Sequence, residues 1–141
     1  MHKGLLILFT LFLYTNSFTQ VGKVIVEVEN IQTKKGGTVS AAVFDSKNFL
    51  KAGKQLSSIL KEITSSKMIF VFEDLTPGEY AFVAYQDIDR NKTMKKNWVG
   101  YPIEPWGISN NPRILFGPPS FSDSKVKVNA NQTATVNIKL N

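Results

Sequence analysis

From Val21 onward the chain alternates apolar and polar residues in short runs, and each run ends at a turn signal. Val24, Val26 and Val28 fall on one face, with Ile25, Glu27 and Glu29 on the other, the spacing of a half-buried strand. Residues 38–45 repeat it with Val39, Ala41 and Val43 inward, and 59–63, 67–72, 80–85, 124–128 and 133–140 continue it. In 67–72, Met68, Phe70 and Phe72 alternate with Ile69 and Val71, so both faces of that strand are expected to be covered. Gly36-Gly37 supplies the positive φ of a tight reversal, and Pro77-Gly78 fits the two central positions of a type II turn. Gly53 argues against a long helix in the connection 46–60, and no other segment carries a helical period of useful length. The fold class expected is all-β: a single antiparallel β-sandwich of about seven strands.

Residues 1–20 stand apart. Met1-His2-Lys3 is a positive start, 4–14 is an uncharged apolar run, and small residues follow, the order of a secretory signal peptide cleaved near 17–20. That run of about eleven residues falls short of the roughly 20 that span a bilayer, so no membrane span is expected after cleavage. A secreted or periplasmic location follows. The chain holds no cysteine, so it is not expected to be a lipoprotein, and no disulfide supports it. At 141 residues it has room for one domain, 21–141, after the leader.

Its one histidine, His2, lies in the leader. The remainder lacks Ser-His-Asp and Cys-His nucleophiles, the usual zinc ligands, and haem or iron–sulfur ligation. A non-enzymatic module is therefore expected. Without Lys3, 16 basic groups face 11 acidic ones, a balance of +5. The lysines are scattered below the density of a nucleic-acid arm, so no nucleic-acid partner is expected.

One stretch breaks the pattern. Roughly 36 residues, 88–123, show little strand or helix period, well beyond the 12–15 of an ordinary loop. They hold Trp98, Tyr101, Ile103, Trp106, Ile108, Leu115, Phe116 and Phe121, so an ordered loop is expected to fold over one end or face of the sandwich. Its first part, Asp87-x-Asp89-x-Asn91-x-Thr93, places oxygen donors at alternate positions, as in the opening of a calcium loop. Lys92 stands where such a loop has glycine, and Trp98 where it has a bidentate glutamate. Calcium there would need an outside ligand, with Glu104 and Asp45 as candidates. The alternative is a polar turn whose side chains bond their own backbone. In the second part, Trp98, Tyr101 and Trp106 with Glu104, Asn110 and Asn111 form a candidate ligand surface for an envelope or extracellular partner. The alternative is that the rings are core beneath the loop. Asp87 or Asp89 with Glu104 could also form the carboxylate pair of a glycoside hydrolase.

The runs Gly78-Glu-Tyr-Ala-Phe-Val-Ala-Tyr-Gln-Asp-x-Asp-x-Asn91, Gly100-Tyr-Pro-Ile-Glu-Pro-Trp-Gly-Ile-Ser-Asn-Asn111 and Phe116-Gly-Pro-Pro-Ser-Phe-Ser-Asp123 resemble the core of DUF2141, a family of exported bacterial proteins of unknown function. The resemblance spans essentially all of 21–141 and implies an envelope or extracellular location. Family members usually carry a His-Asp-x-Asn-x-Asn-Gly-x-x-Asp turn. Here Gln86 replaces the histidine, Asp89 an asparagine, Lys92 the glycine and Lys95 the last acid. The segment Asp74-Leu-Thr-Pro-Gly-Glu-Tyr80 is also similar to the strand-turn-strand of transthyretin-like and carboxypeptidase-regulatory sandwiches.

Overall fold

The computed structural model describes residues 18–141. All but the last three positions of the expected signal peptide lie outside the described residues. The strands are β1 (Gly22–Glu29), β2 (Thr38–Phe44), β3 (Ser57–Glu62), β4 (Met68–Leu75), β5 (Gly78–Asp87) and β6 (Trp106–Ile108). A one-turn helix α1 (Phe121–Ser124) then leads into β7 (Lys125–Val128) and β8 (Thr133–Lys139). One sheet has the order β4-β1-β8, and the other runs β3-β2-β5-β6 with β7 also paired to β5. β5 is long enough to hold two partners on one side: its Gly78 end pairs with β7 and its Tyr85 end with β6.

The two sheets face each other across the alternating residues that define the strands. Val24, Val26, Val28, Phe70 and Ile138 meet Val39, Val43 and Phe82 in a core from which solvent is excluded. Phe72 and Phe82 pack across it with ring centroids 5.3 Å apart. The sandwich is as expected from the alternation, and three details differ.

First, β1 and β8 run parallel, with Lys23 opposite Thr133 and Glu29 opposite Lys139. Alternation specifies a face and is silent on strand direction. Second, Ile69 and Val71 are 48% and 38% exposed, so β4 is covered on one face only. It is an edge strand, and among the described residues no layer lies over its outer side. Third, Gly78 does not take a positive φ; the left-handed residue of that corner is Asp74, at φ 56°. The corner is secured instead by Tyr80, whose hydroxyl donates to the Thr76 carbonyl at 2.8 Å and lies 2.8 Å from the Thr76 hydroxyl. This is the device that ties a strand entry back to its preceding turn in other β-sandwiches. At the opposite end, Gly36 and Gly37 do take positive φ, 66° and 93°.

Candidate functional site

Val83 and Tyr85 point away from the main core, because side chains alternate along β5. On that outer face they meet Phe44, Trp106 and Ile108, flanked by Phe49, Leu50 and Met94. Phe121 closes the edge of this second core, its ring 5.5 Å from that of Phe49 in a T-shaped contact. The long segment therefore covers one face of the five-stranded sheet, as expected. It does so through β6, a three-residue strand with every residue buried and no alternation to betray it.

Gly107 explains why β6 can sit there. A Cβ on it would lie 2.4 Å from the Lys139 carbonyl oxygen and 2.7 Å from Ile138 Cγ2, so only glycine lets β6 cross against β8. Ser109 extends the pairing by one residue. Its amide donates to the Phe82 carbonyl at 2.8 Å, its hydroxyl accepts from the Phe82 amide at 3.0 Å, and that hydroxyl donates to the Ser124 carbonyl. Ser124 and Asp123 are in turn held by Ser120, which accepts from the Asp123 amide at 3.1 Å.

Asn110 and Asn111 follow in left-handed conformation, at φ 67° and 44°. Asn110 donates to the carbonyls of Asp123 and Lys125. Asn111 donates to the Asn137 carbonyl at 2.9 Å and accepts from the Lys139 amide at 2.8 Å, so one side-chain amide fills part of the open edge of β8. Both side-chain amides thus bond the scaffold.

The acidic turn is built around two buried carboxylates. Asp87 accepts the amides of Asn91 at 3.1 Å and Lys92 at 2.7 Å. Glu104 accepts the amides of Ile88 at 3.0 Å and Lys95 at 2.9 Å, closing the turn from the far side of the loop. Arg90 and Lys92 take positive φ, 61° and 63°, to aim those amides inward. Gly37 backs the turn, since a Cβ there would lie 2.2 Å from the Asp87 carbonyl oxygen. Carboxylate oxygens of Asp87, Asp89 and Glu104 come within 4.8 Å of one another. Of the metal candidates, Asp87 and Asp89 therefore meet, and Glu104 joins them from outside. Asp45 does not; it accepts the Asn48 amide at 2.8 Å elsewhere. Asn91 and Thr93 bond mainly to each other and to Asp89, as in a self-satisfied polar turn.

Among the described residues none of these three carboxylates forms an ion pair with a lysine or arginine. Arg90 instead reaches Glu62 on β3 at 2.7 Å. Glu62, Thr38 and Asp87 stand in one row across β3, β2 and β5. The Thr38 hydroxyl, in the middle, is buried without a hydrogen-bond partner among the described residues. Burial first, and then the charges of Asp87 and Glu104, push the Tyr85 hydroxyl above its ordinary value. Gln86 is wholly buried. Its amide accepts from the Gln32 nitrogen at 2.9 Å and donates to the carbonyls of Gln32 and Gly36 at 3.0 and 2.8 Å. It pins the turn before β2 and faces no site.

The candidate aromatic surface divides. Trp106 is core, whereas Trp98 is 96% exposed and Tyr101 is also in solvent. Leu115 is largely exposed and Phe116 is 95% exposed, so the apolar half of the loop does not all fold down. The region around Trp98 is nonetheless ordered by its own bonds. Lys96 and Pro102 form a bridge, Asn97 donates its amide to Tyr101 at 2.8 Å, and Ile103 donates to Lys95 at 2.9 Å. The Asn97 side chain accepts the amides of Val99 and Tyr101, and Gly100 turns the chain at φ 85°. Trp98 and Val99 are the tip of this small hairpin. Leu115 and Phe116 form a second exposed tip, and next to it in the chain Ile114 shares with Tyr101 a groove of about 510 Å³ also lined by Trp106 and Ile108. Asn97, Leu115 and Phe116 were not among the sequence candidates. The Asn-x-x-Gly spacing of 97–100 is the signal that marks the first tip.

No curated protein and no solved structure matches the chain. A family model does, over residues 26–137, from β1 through the acidic turn and both tips into β8. The chain belongs to DUF2141, the family described as an uncharacterized protein conserved in bacteria.

Proposed function

We propose that this chain is an exported, non-enzymatic module that docks to a component of the bacterial envelope through the loop 87–121. The observation that carries this reading is Trp98, 96% exposed on a backbone fixed by its own hydrogen bonds. An apolar ring held in water gains nothing for the fold, while a rigid display lowers the entropy lost when a partner covers it. The leader-like residues 1–20 support export. The absence of His and Cys from 21–141 supports a binding role, as does the burial of Asp87 and Glu104, which keeps a substrate from reaching the pair a glycosidase would use. Co-sedimentation with bacterial envelopes tests the reading. Wild-type chain should pellet with them and Trp98→Ser should remain in the supernatant; equal pelleting of both would overturn it.

A second reading concerns the acidic turn, as a calcium-stabilised element. It rests on three carboxylates within 4.8 Å that, among the described residues, form no ion pair, with the Thr38 hydroxyl, unpartnered among the same residues, in register with Asp87. Asp87, Asp89 and Glu104 would supply the hard oxygen ligands. Thermal unfolding with calcium and with chelator tests it, since a ligand at 100 times its Kd adds about 2.7 kcal/mol. An unchanged melting temperature would remove it.

A further inference from the structure

Basic residues outnumber acidic ones around the two exposed apolar stretches. Between Arg90 and Ser122 the only acidic residue is Glu104, and it is buried. Lys92, Lys95, Lys96 and Arg113 lie in the same stretch, exposed and, among the described residues, outside every ion pair. Asp89, the exposed acid at the start of the loop, forms no ion pair with any of them among the described residues. Trp98 and Phe116 project with nearly their whole side chains in water, so both faces of each ring are free. Exposed apolar rings with unpaired Lys95, Lys96 and Arg113 close by in the chain suit a medium that surrounds each ring and carries negative charge at its boundary. Tryptophan and lysine together are the side chains that settle at the headgroup level of a bilayer.

We infer that the loop contacts an anionic lipid surface, with Trp98-Val99 and Leu115-Phe116 entering the headgroup boundary and the lysines facing lipid phosphates. This rests on the docking role proposed above and names its partner class. The contact is peripheral and needs no spanning element; among the described residues no helix is long and apolar enough to cross a membrane.

The test is sedimentation of the full chain with vesicles of phosphatidylglycerol and phosphatidylcholine, or of phosphatidylcholine alone. Every variant carries the same residues 1–17, so differences between variants belong to the loop. Wild-type chain should bind the anionic vesicles far better, and added salt should weaken the binding. The variant Lys95→Gln/Lys96→Gln should bind about 30-fold more weakly, from about 1 kcal/mol per lysine at the surface. Trp98→Ser/Phe116→Ser should lose the loop-dependent binding, and brominated lipid should quench wild-type emission more than that of Trp98→Phe. Equal vesicle binding by wild type and both double variants would overturn the inference. If envelope pelleting still depends on Trp98 in that event, and survives detergent removal of lipid, the partner is a protein or glycan and the docking role stands. If neither depends on Trp98, both readings fall.

Discussion

Glu104 and Lys95 are joined across the loop at 2.9 Å, carboxylate to backbone amide, while the other oxygen of Glu104 holds Ile88 at 3.0 Å. One buried side chain thus fixes both the acidic turn and the base of the Trp98 hairpin. Replacing it by glutamine presents an NH₂ to an amide that needs an acceptor. Glu104→Gln should cost about 1–3 kcal/mol and speed hydrogen exchange at Ile88 or Lys95. Unchanged exchange at both amides would mean the turn is held by other contacts.

Gly107 has no room for a methyl group. Gly107→Ala should destabilise by about 1–3 kcal/mol or more, since the clash at 2.4 Å is with backbone and cannot be relieved by a rotamer. Chemical denaturation measures it. An alanine variant of wild-type stability would show that β6 can lift from β8 freely.

Lys92 occupies a left-handed position, φ 63°, that costs an L residue about 1–2 kcal/mol. Lys92→Gly should therefore stabilise, by about 1 kcal/mol or less once the added flexibility of the unfolded chain is subtracted. A lower melting temperature in the glycine variant would contradict this.

Much of this was legible in the residues. Val24, Val26, Val28, Val39 and Val43 marked their faces because a period of two admits one reading when one side is buried. The parallel direction of β8 was not legible, nor was β6, whose Trp106-Gly107-Ile108 is too short to alternate. The acidic turn could be read as far as Asp87 and Asp89 being neighbours, with Glu104 or Asp45 as the residue to join them. Its closure by Glu104 depends on a contact across sixteen positions that only the folded chain brings together. Trp98 and Trp106 look alike in sequence and differ in fate, because Trp106 pairs with Tyr85 on the sheet and Trp98 falls at a hairpin tip.

Tyr85 provides a pH signature of the same region. Its hydroxyl is pushed up by burial and then by Asp87 and Glu104, so the folded chain favours the neutral phenol. The stability this contributes is whole below the unfolded value of about 10 and is lost as pH rises through the higher folded value. Melting temperatures of wild type and Tyr85→Phe should hold a constant difference up to about pH 10, after which wild type should fall relative to the variant. Parallel curves through that range would contradict the burial of Tyr85 beside Asp87 and Glu104.

The claim that Trp98 is displayed for a partner is met most directly by iodide quenching of tryptophan emission, taken as the difference between wild type and Trp98→Phe, with and without bacterial envelopes. Free chain should show a strongly quenched Trp98, and envelopes should protect it. Quenching of Trp98 that is the same in both conditions, with the chain bound, would contradict the account.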